Sequence, residues 1–356
     1  MEPPPTSQWD DLSLPQFSQL TELASGPAGT VYRGIFRRTG AQVVLKQRRH
    51  AEGSKHGDIL REVHILQKIS HPNIVACLGH FWHRDRILYI VLEFAEHGDL
   101  YSLIKKTKQE GRRLTEDQIW RLFLPLCDAC AYLHSKGIVH RDLKALNVFI
   151  ARGNVVKLGD FGVGREMSAG TEMLQTLYGT PLYLSPELCE NKPYNSKTDV
   201  WSLGIILFEM VMLRTPFQGR NLVELARCIT SGKRDPLPNW CSTIVRESVD
   251  RLLRRDARDR PMLQEFLEST LQQGVELDAE LSFYHAAGPA KTAPISDEPE
   301  QVHTSGAREE DIGQRSAQRR DGRGGKEGDR ERGGGKDGGR AEGGGEEDGE
   351  VGGRDG

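Results

Sequence analysis

The chain has 356 residues, with 48 Lys and Arg against 51 Asp and Glu and a net charge of −3. That length allows two or more packed layers of structure, and the near-balance of charge argues against direct DNA binding or membrane attachment as its main business. The opening MEPPPTSQWDDLSLPQF is polar and proline-rich, unlike a secretory leader, and the longest apolar run, Leu203 to Leu213, is broken by Glu209 and too short to span a bilayer.

Residues 1–16 read as an N-terminal lead. Residues 17–50 then read as three strands: FSQLTEL, TVYRGIF and AQVVLKQRR, with LASGPAG between the first two and a Thr39–Gly40 turn before the third. The period changes over 58–69, where Ile59, Val63 and Leu66 fall on one helical face, Asp58 is the expected N-cap and Pro72 lies beyond the end. A strand pair is expected around NIVACLGHFW and RILYIVLEF, and a hinge at Glu93–Gly98. Helices dominate afterwards: LYSLIKK, Thr115–His134, Leu203–Leu213, Leu222–Ile229 and Ile244–Leu253. The order is a small sheet-rich part followed by a large helical part, an α+β arrangement in two lobes.

Six Cys lack paired spacing, which fits a reducing, cytoplasmic compartment. Cys127, Cys130 and His134 share a helical face; a metal site is one reading, but the apolar spacing of WRLFLPLCDACAYLH favours core residues. Beyond about Ala286, aliphatic and aromatic residues almost vanish and Gly alternates with both signs of charge, so 273–356 is expected to be a disordered tail. RGG strings begin at Arg323 and Arg332, yet interleaved acids leave little net field for RNA, and a spacer is the expected role.

Two strings carry chemistry: HRDLKALN, His140 to Asn147, and DFG, Asp160 to Gly162. Phosphoryl transfer needs in-line alignment and cancellation of phosphate charge rather than covalent work by the protein. The turn Leu23, Ala24, Ser25, Gly26, Pro27, Ala28, Gly29, Thr30, Val31 lies between two strands, where Gly26 and Gly29 would let backbone N–H groups approach phosphate oxygens. Lys46 ends VVLK and would hold phosphates, partnered by Glu62 on the following helix. Asp142 would orient a substrate hydroxyl, Lys144 would neutralise the group in flight, and Asn147 and Asp160 offer the oxygen ligands that Mg²⁺ prefers.

As a set, these motifs resemble a eukaryotic protein kinase domain, with its bilobal fold, over 17–272. The resemblance implies ATP and Mg²⁺ as cofactors and protein substrates. It implies that the backbone of Glu93–Ala95 meets adenine, that Leu92 guards the pocket and that Phe149 floors it. It also implies that Glu187 of SPE pairs with Arg260 and that Asp199 anchors the catalytic loop. Lys144 and Thr180 resemble the serine/threonine branch, and KLGDFG, GTPLYLSPE, HGDLYSLI and ITSGKRDPLP are similar to the wording of NIMA-related kinases. That subgroup implies cytoskeletal, centrosomal or ciliary work, a phosphothreonine at Thr176 held by Arg141, and transient self-association for phosphorylation in trans. Ala24 replaces the first glycine of the phosphate loop and Val44 the usual alanine above adenine, but neither removes a charge or a ligand. A nucleotide-gated pseudokinase scaffold is the competing reading; the presence of Lys46, Asp142, Asn147 and Asp160 favours the enzyme.

Overall fold

The computed structural model describes residues 9, 11–26, 29–49, 56–84, 86–160, 181–193 and 195–275, apart from the side chains at 49, 56–59, 61 and 62. Contacts divide the chain into units 1–293 and 294–356, and every described residue belongs to the first. The disordered tail expected at 273–356 therefore lies outside the described residues, except for its first three positions.

The small lobe is one antiparallel sheet of five strands in the order β1-β2-β3-β5-β4. They are β1 (Phe17–Gly26), β2 (Gly29–Phe36), β3 (Gln42–Arg49), β4 (Cys77–His83) and β5 (Ile87–Glu93), with helix α1 (His56–Lys68) between β3 and β4. Alternation along β3 sorts its side chains by face: Val43 and Leu45 are buried, while Val44 and Lys46 are only partly covered. The buried face carries Phe17, Phe36, Phe81, Tyr89 and Val91 as well.

The lead does not stand apart from this lobe. Trp9 stacks on Phe36 at 4.6 Å between centroids, and Leu12 is buried. Leu12 lies over Gly79, where any Cβ would come within 2.7 Å of its Cδ1. Arg37 fixes the segment by donating its N–H to the Gln16 carbonyl at 2.8 Å and its Nε–H to that of Pro15 at 3.1 Å. Packing thus begins at least eight residues before the start at 17 that the motifs suggested, because the aromatic face would otherwise meet water.

Two expectations are corrected. Helix α1 already begins at His56, so Asp58 sits inside its first turn rather than at the cap. The strand expected from Asn73 begins only at Cys77. The 73–76 backbone turns instead toward the large lobe: Leu158 donates to the Asn73 carbonyl and Val75 to that of Leu158, both at 2.8 Å.

The large lobe holds α2 (Leu100–Gln109), α3 (Glu116–Ser135), the hairpin β6 (Val148–Ile150) and β7 (Val156–Leu158), the one-turn α4 (Pro186–Cys189), then α5 (Ser196–Met212), α6 (Leu222–Ser231), α7 (Thr243–Leu252) and α8 (Leu263–Gln272). Asp99 caps α2 through the Ser102 N–H at 2.7 Å, and Thr115 with Gln118 forms a capping box on α3. Helix α5 starts seven residues before the run that announced it, because Asn195 and Thr198 form its cap and its first buried residues are polar. Cys127 and Cys130 are buried thiols whose pKa values burial pushes up, and His134 turns to Asp199. Cys127 and Cys130 pack into the core cluster, as the core reading of that face expects. All six cysteines are free, and no described helix is long and apolar enough to cross a membrane.

The lead makes a direct prediction. Leu12→Ala should lower unfolding stability by about 2–5 kcal/mol, the usual range for truncating a buried leucine. Gly79→Ala, whose Cβ would press on Leu12 Cδ1 and force it to shift, should lower it too. Chemical denaturation checks this, and an unchanged midpoint in both variants would show that the segment contributes nothing.

Candidate active site

The loop after α3 is built around a carboxylate on another helix. Asp199, wholly buried on α5, accepts from His134 Nε2 at 2.8 Å, from the His140 N–H at 2.9 Å and from the Arg141 N–H at 3.2 Å. Burial alone would raise the pKa of Asp199, but these donors outweigh it and hold the carboxyl below its usual value. With its backbone so held, Arg141 takes φ of 69°, a conformation few L-residues adopt. His140 is buried as well. Its Nδ1 accepts from the Asp142 N–H at 3.3 Å and its Nε2 donates to the Gly159 carbonyl at 3.1 Å, which defines a neutral tautomer. Its pKa lies below the usual value because burial disfavours the charged imidazolium more than the neighbouring Asp199, Asp142 and Asp160 carboxylates favour it.

Three expected residues meet just beyond. Lys144 Nζ donates to Asp142 Oδ2 at 2.8 Å, and Asn147 donates its amide to the Asp142 carbonyl at 2.7 Å and to Oδ2 at 3.2 Å. The Asn147 carbonyl oxygen is thereby turned away from Asp142. Asn147 in turn accepts the Gly159 N–H through its backbone carbonyl at 2.9 Å, which seats the next residue, Asp160. Only glycine fits at 159, because a Cβ would come within 2.9 Å of both Phe149 and Val75.

Asp160 reaches across to the small lobe, where Lys46 Nζ lies 2.5 Å from its Oδ1. Partial burial pushes the Asp160 carboxyl up, and the Lys46 ammonium, aided by Arg48 and Lys144, pulls it down further. Lys46 is placed by the sheet: it faces Ile90 on β5 and Val31 on β2. The Lys46–Glu62 pairing falls on a side chain outside the described residues, as do Pro27 and Ala28 of the phosphate turn. Gly26 and Gly29 face each other at the end of the β1–β2 ladder. Gly29 takes φ of 125° and a Cβ there would strike the Gln47 carbonyl, so close strand approach already demands glycine. Leu23, Ala24, Ser25, Thr30 and Val31 continue the two strands, with Ala24 opposite Val31.

Of the residues expected to meet adenine, Glu93 closes β5 and Ala95 follows it between the lobes. Leu92 faces Val44 on β3, while Phe149 on β6 lies against Gly159. One cleft between the lobes thus gathers Lys46, Asp142, Lys144, Asn147 and Asp160. The family model of the protein kinase domain matches residues 17–271.

The chain belongs to the protein kinase family.

Similar curated proteins are Nek serine/threonine-protein kinases. Mouse Nek4 is 37% identical over 284 residues, covering 79% of this chain and 35% of the relative. Mouse Nek1 is 36% identical over 257 residues, covering 72% and 21%, and human Nek5 is 41% identical over 209 residues, covering 58% and 29%. The resemblance to NIMA-related kinases read from the motifs is thereby supported. The chain spans about a third or less of the length of these relatives.

Below the cleft of this kinase domain, Glu187 on α4 meets Arg260 in a forked pair at 2.7 and 2.8 Å, with the Arg260 side chain fully buried over Trp201. Thr198 donates to the same Glu187 at 3.0 Å, and burial of that carboxylate is outweighed by Arg260, which keeps its pKa low. Thr176 and Thr180, with Phe161 and Gly162, lie outside the described residues.

The motifs did not single out Tyr183. Its hydroxyl accepts from the Ala145 N–H of the catalytic loop at 3.2 Å and donates to Glu209 on α5. Burial and that neighbour push the Tyr183 pKa far up, while burial raises Glu209. The available signal was the glutamate inside an otherwise apolar helix. Tyr183→Phe removes the link and leaves both ends buried. It should lower kcat about tenfold, since an unsatisfied buried group is worth roughly 1–3 kcal/mol. Steady-state kinetics tests this, and unchanged kcat would reduce Tyr183 to packing.

Proposed function

We propose that this protein is an ATP-dependent serine/threonine kinase of the NIMA-related type, acting on hydroxyls of protein substrates. The observation that carries the reading is the 2.5 Å contact between Lys46 and Asp160 across the cleft, beside the Asp142–Lys144–Asn147 cluster. The donor set suits the cofactor. Asp160 is half-exposed, and Asn147 offers an amide oxygen; two hard oxygen donors on one side fit an ion that keeps waters and phosphate oxygens for the rest of its shell. Mg²⁺ bound with the nucleotide would neutralise charge on the phosphates.

The protein's own groups divide the remaining work. Lys46 holds phosphate oxygens in place of its present partner. Asp142, aimed by the Asn147 amide, orients the substrate hydroxyl and takes its proton. Lys144, 2.8 Å from Asp142, offsets charge on the group as it moves. Lys144 two residues after Asp142, and relatives named as serine/threonine kinases, support the choice of hydroxyl. No observation favours the scaffold alternative.

Asp142→Asn should reduce transfer from labelled ATP to a generic serine/threonine substrate by about 10²- to 10⁴-fold, the usual worth of a positioned base. Transfer that persists at the parental rate would rule out this mechanism.

Activation by phosphate on Thr176, added in trans by a second copy, follows from the same reading. The Arg141 backbone, fixed by Asp199, gives the guanidinium a defined origin beside the catalytic carboxylate. Thr176→Ala should lower activity of the fully phosphorylated enzyme at least about tenfold, the scale of one or two charge-assisted hydrogen bonds. Equal activity in the two proteins, assayed after the same phosphorylation treatment, would sink this switch.

A further inference from the structure

Lys157 is a charged residue beside the hinge that the proposed mechanism leaves unused. It is the middle residue of β7, with Val156 and Leu158 buried on either side. Its Nζ lies 2.8 Å from Glu93 Oε1, with 14% and 29% of the two side chains exposed. The other oxygen of that carboxylate, Oε2, accepts the Ala76 N–H at 3.2 Å, and the Glu93 N–H returns to the Ala76 carbonyl at 3.0 Å. Glu93 is therefore gripped from two sides, by the strand floor of the large lobe and by the 73–76 turn of the small lobe. That turn is itself tied to β7: Asn73 Nδ2 donates to the Val156 carbonyl at 3.0 Å, and Val75 to that of Leu158 at 2.8 Å. Lys157 also stands opposite Phe149 in the β6–β7 register. Residues directly opposite in an antiparallel pair place their side chains on one face within about 5.5 Å at Cβ. One lysine thus touches the first hinge residue and flanks the expected adenine floor.

We propose that Lys157 is a positioning residue for the nucleotide: its ion pair with Glu93 sets the backbone of Glu93–Ala95, and so the edge that reads adenine, against the Phe149 floor. The proposal rests on the nucleotide-binding reading above. A solvated strand lysine would be indifferent to its partner's charge. This pair is largely shielded from water, so loss of one partner leaves the other poorly satisfied and frees the hinge to move. The effect falls on binding and not on the chemical step, because neither side chain reaches Asp142, Lys144 or Lys46 in the described contacts.

Titration of the full chain with Mg²⁺-ADP, followed by calorimetry, tests this directly, with steady-state kinetics beside it. Lys157→Met should weaken ADP and raise KM for ATP about five-fold while kcat stays within about two-fold, the pattern of lost uniform binding. Exchanging the charges, Glu93→Lys with Lys157→Glu, should recover at least half of the lost affinity relative to either single change. Lys157→Arg, the least disturbing variant, should bind within about two-fold of the parent. Unchanged ADP affinity in Lys157→Met, a fall in kcat matching the rise in KM, or an exchange no better than its singles would overturn the proposal. If Lys157→Met does not fold, a five-fold loss in Lys157→Arg overturns it equally. Absence of phosphoryl transfer by the intact protein would sink the kinase activity alone, since the ADP titration still decides the hinge.

Discussion

The buried carboxylate of Asp199 is the constraint on which the catalytic loop depends. Taking a carboxylate out of water is costly unless several donors replace its hydration. Here His134 and two consecutive backbone N–H groups supply them. The loop cannot leave without stranding that charge, so the backbone at 140–141 is held even though Arg141 takes a left-handed conformation. Asp142 inherits its position from this arrangement and from its own hydrogen bonds to the buried His140 and Asn147.

Helix α5 extends the same logic along its length. It is buried from Thr198 to Val211, yet carries polar groups at intervals: Thr198 to Glu187, Asp199 to the loop, Trp201 Nε1 to the Leu184 carbonyl at 2.9 Å, and Glu209 to Tyr183. Asp199 and Trp201 satisfy backbone groups at His140, Arg141 and Leu184, while Thr198 and Glu209 hold the side chains of Glu187 and Tyr183. A wholly apolar helix would pack as well but would leave those partners unspecified. The metal-side residues follow at one remove, through the Asn147 carbonyl that seats Gly159 and Asp160.

Legibility in the sequence follows from this division. Strands β1 to β3 showed their period and turns, and Lys46, Asp142, Lys144, Asn147 and Asp160 stand in short strings whose spacing already implies a cleft. Contacts between distant segments were readable only where a family pattern named them, as for Glu187 with Arg260. Where no pattern did, they were missed. Tyr183 and Glu209 are twenty-six positions apart, and a glutamate inside an apolar run does not name its partner. The packed lead escaped because its anchors, Trp9 and Leu12, sit among prolines and acids, while the surface they cover comes from strands β1 to β5. The late start of β4 has the same origin: the residues have strand composition, but their backbone partners lie in β7, across the hinge.

That crossing gives the two lobes different kinds of attachment at different points. At the rear, the 73–76 turn is fastened to β7 by backbone hydrogen bonds that no side-chain change removes. At the hinge, fastening depends on the side chains of Glu93 and Lys157. At the front, Lys46 and Asp160 join the lobes through an exposed pair that phosphates and a cation would each compete for. The order runs from fixed to exchangeable toward the site of reaction. On the proposed function, a nucleotide would have to displace only this tie, since an ion pair with a half-exposed partner is worth little against phosphate contacts. The rear tie would hold the 73–76 turn against β7 throughout such an exchange.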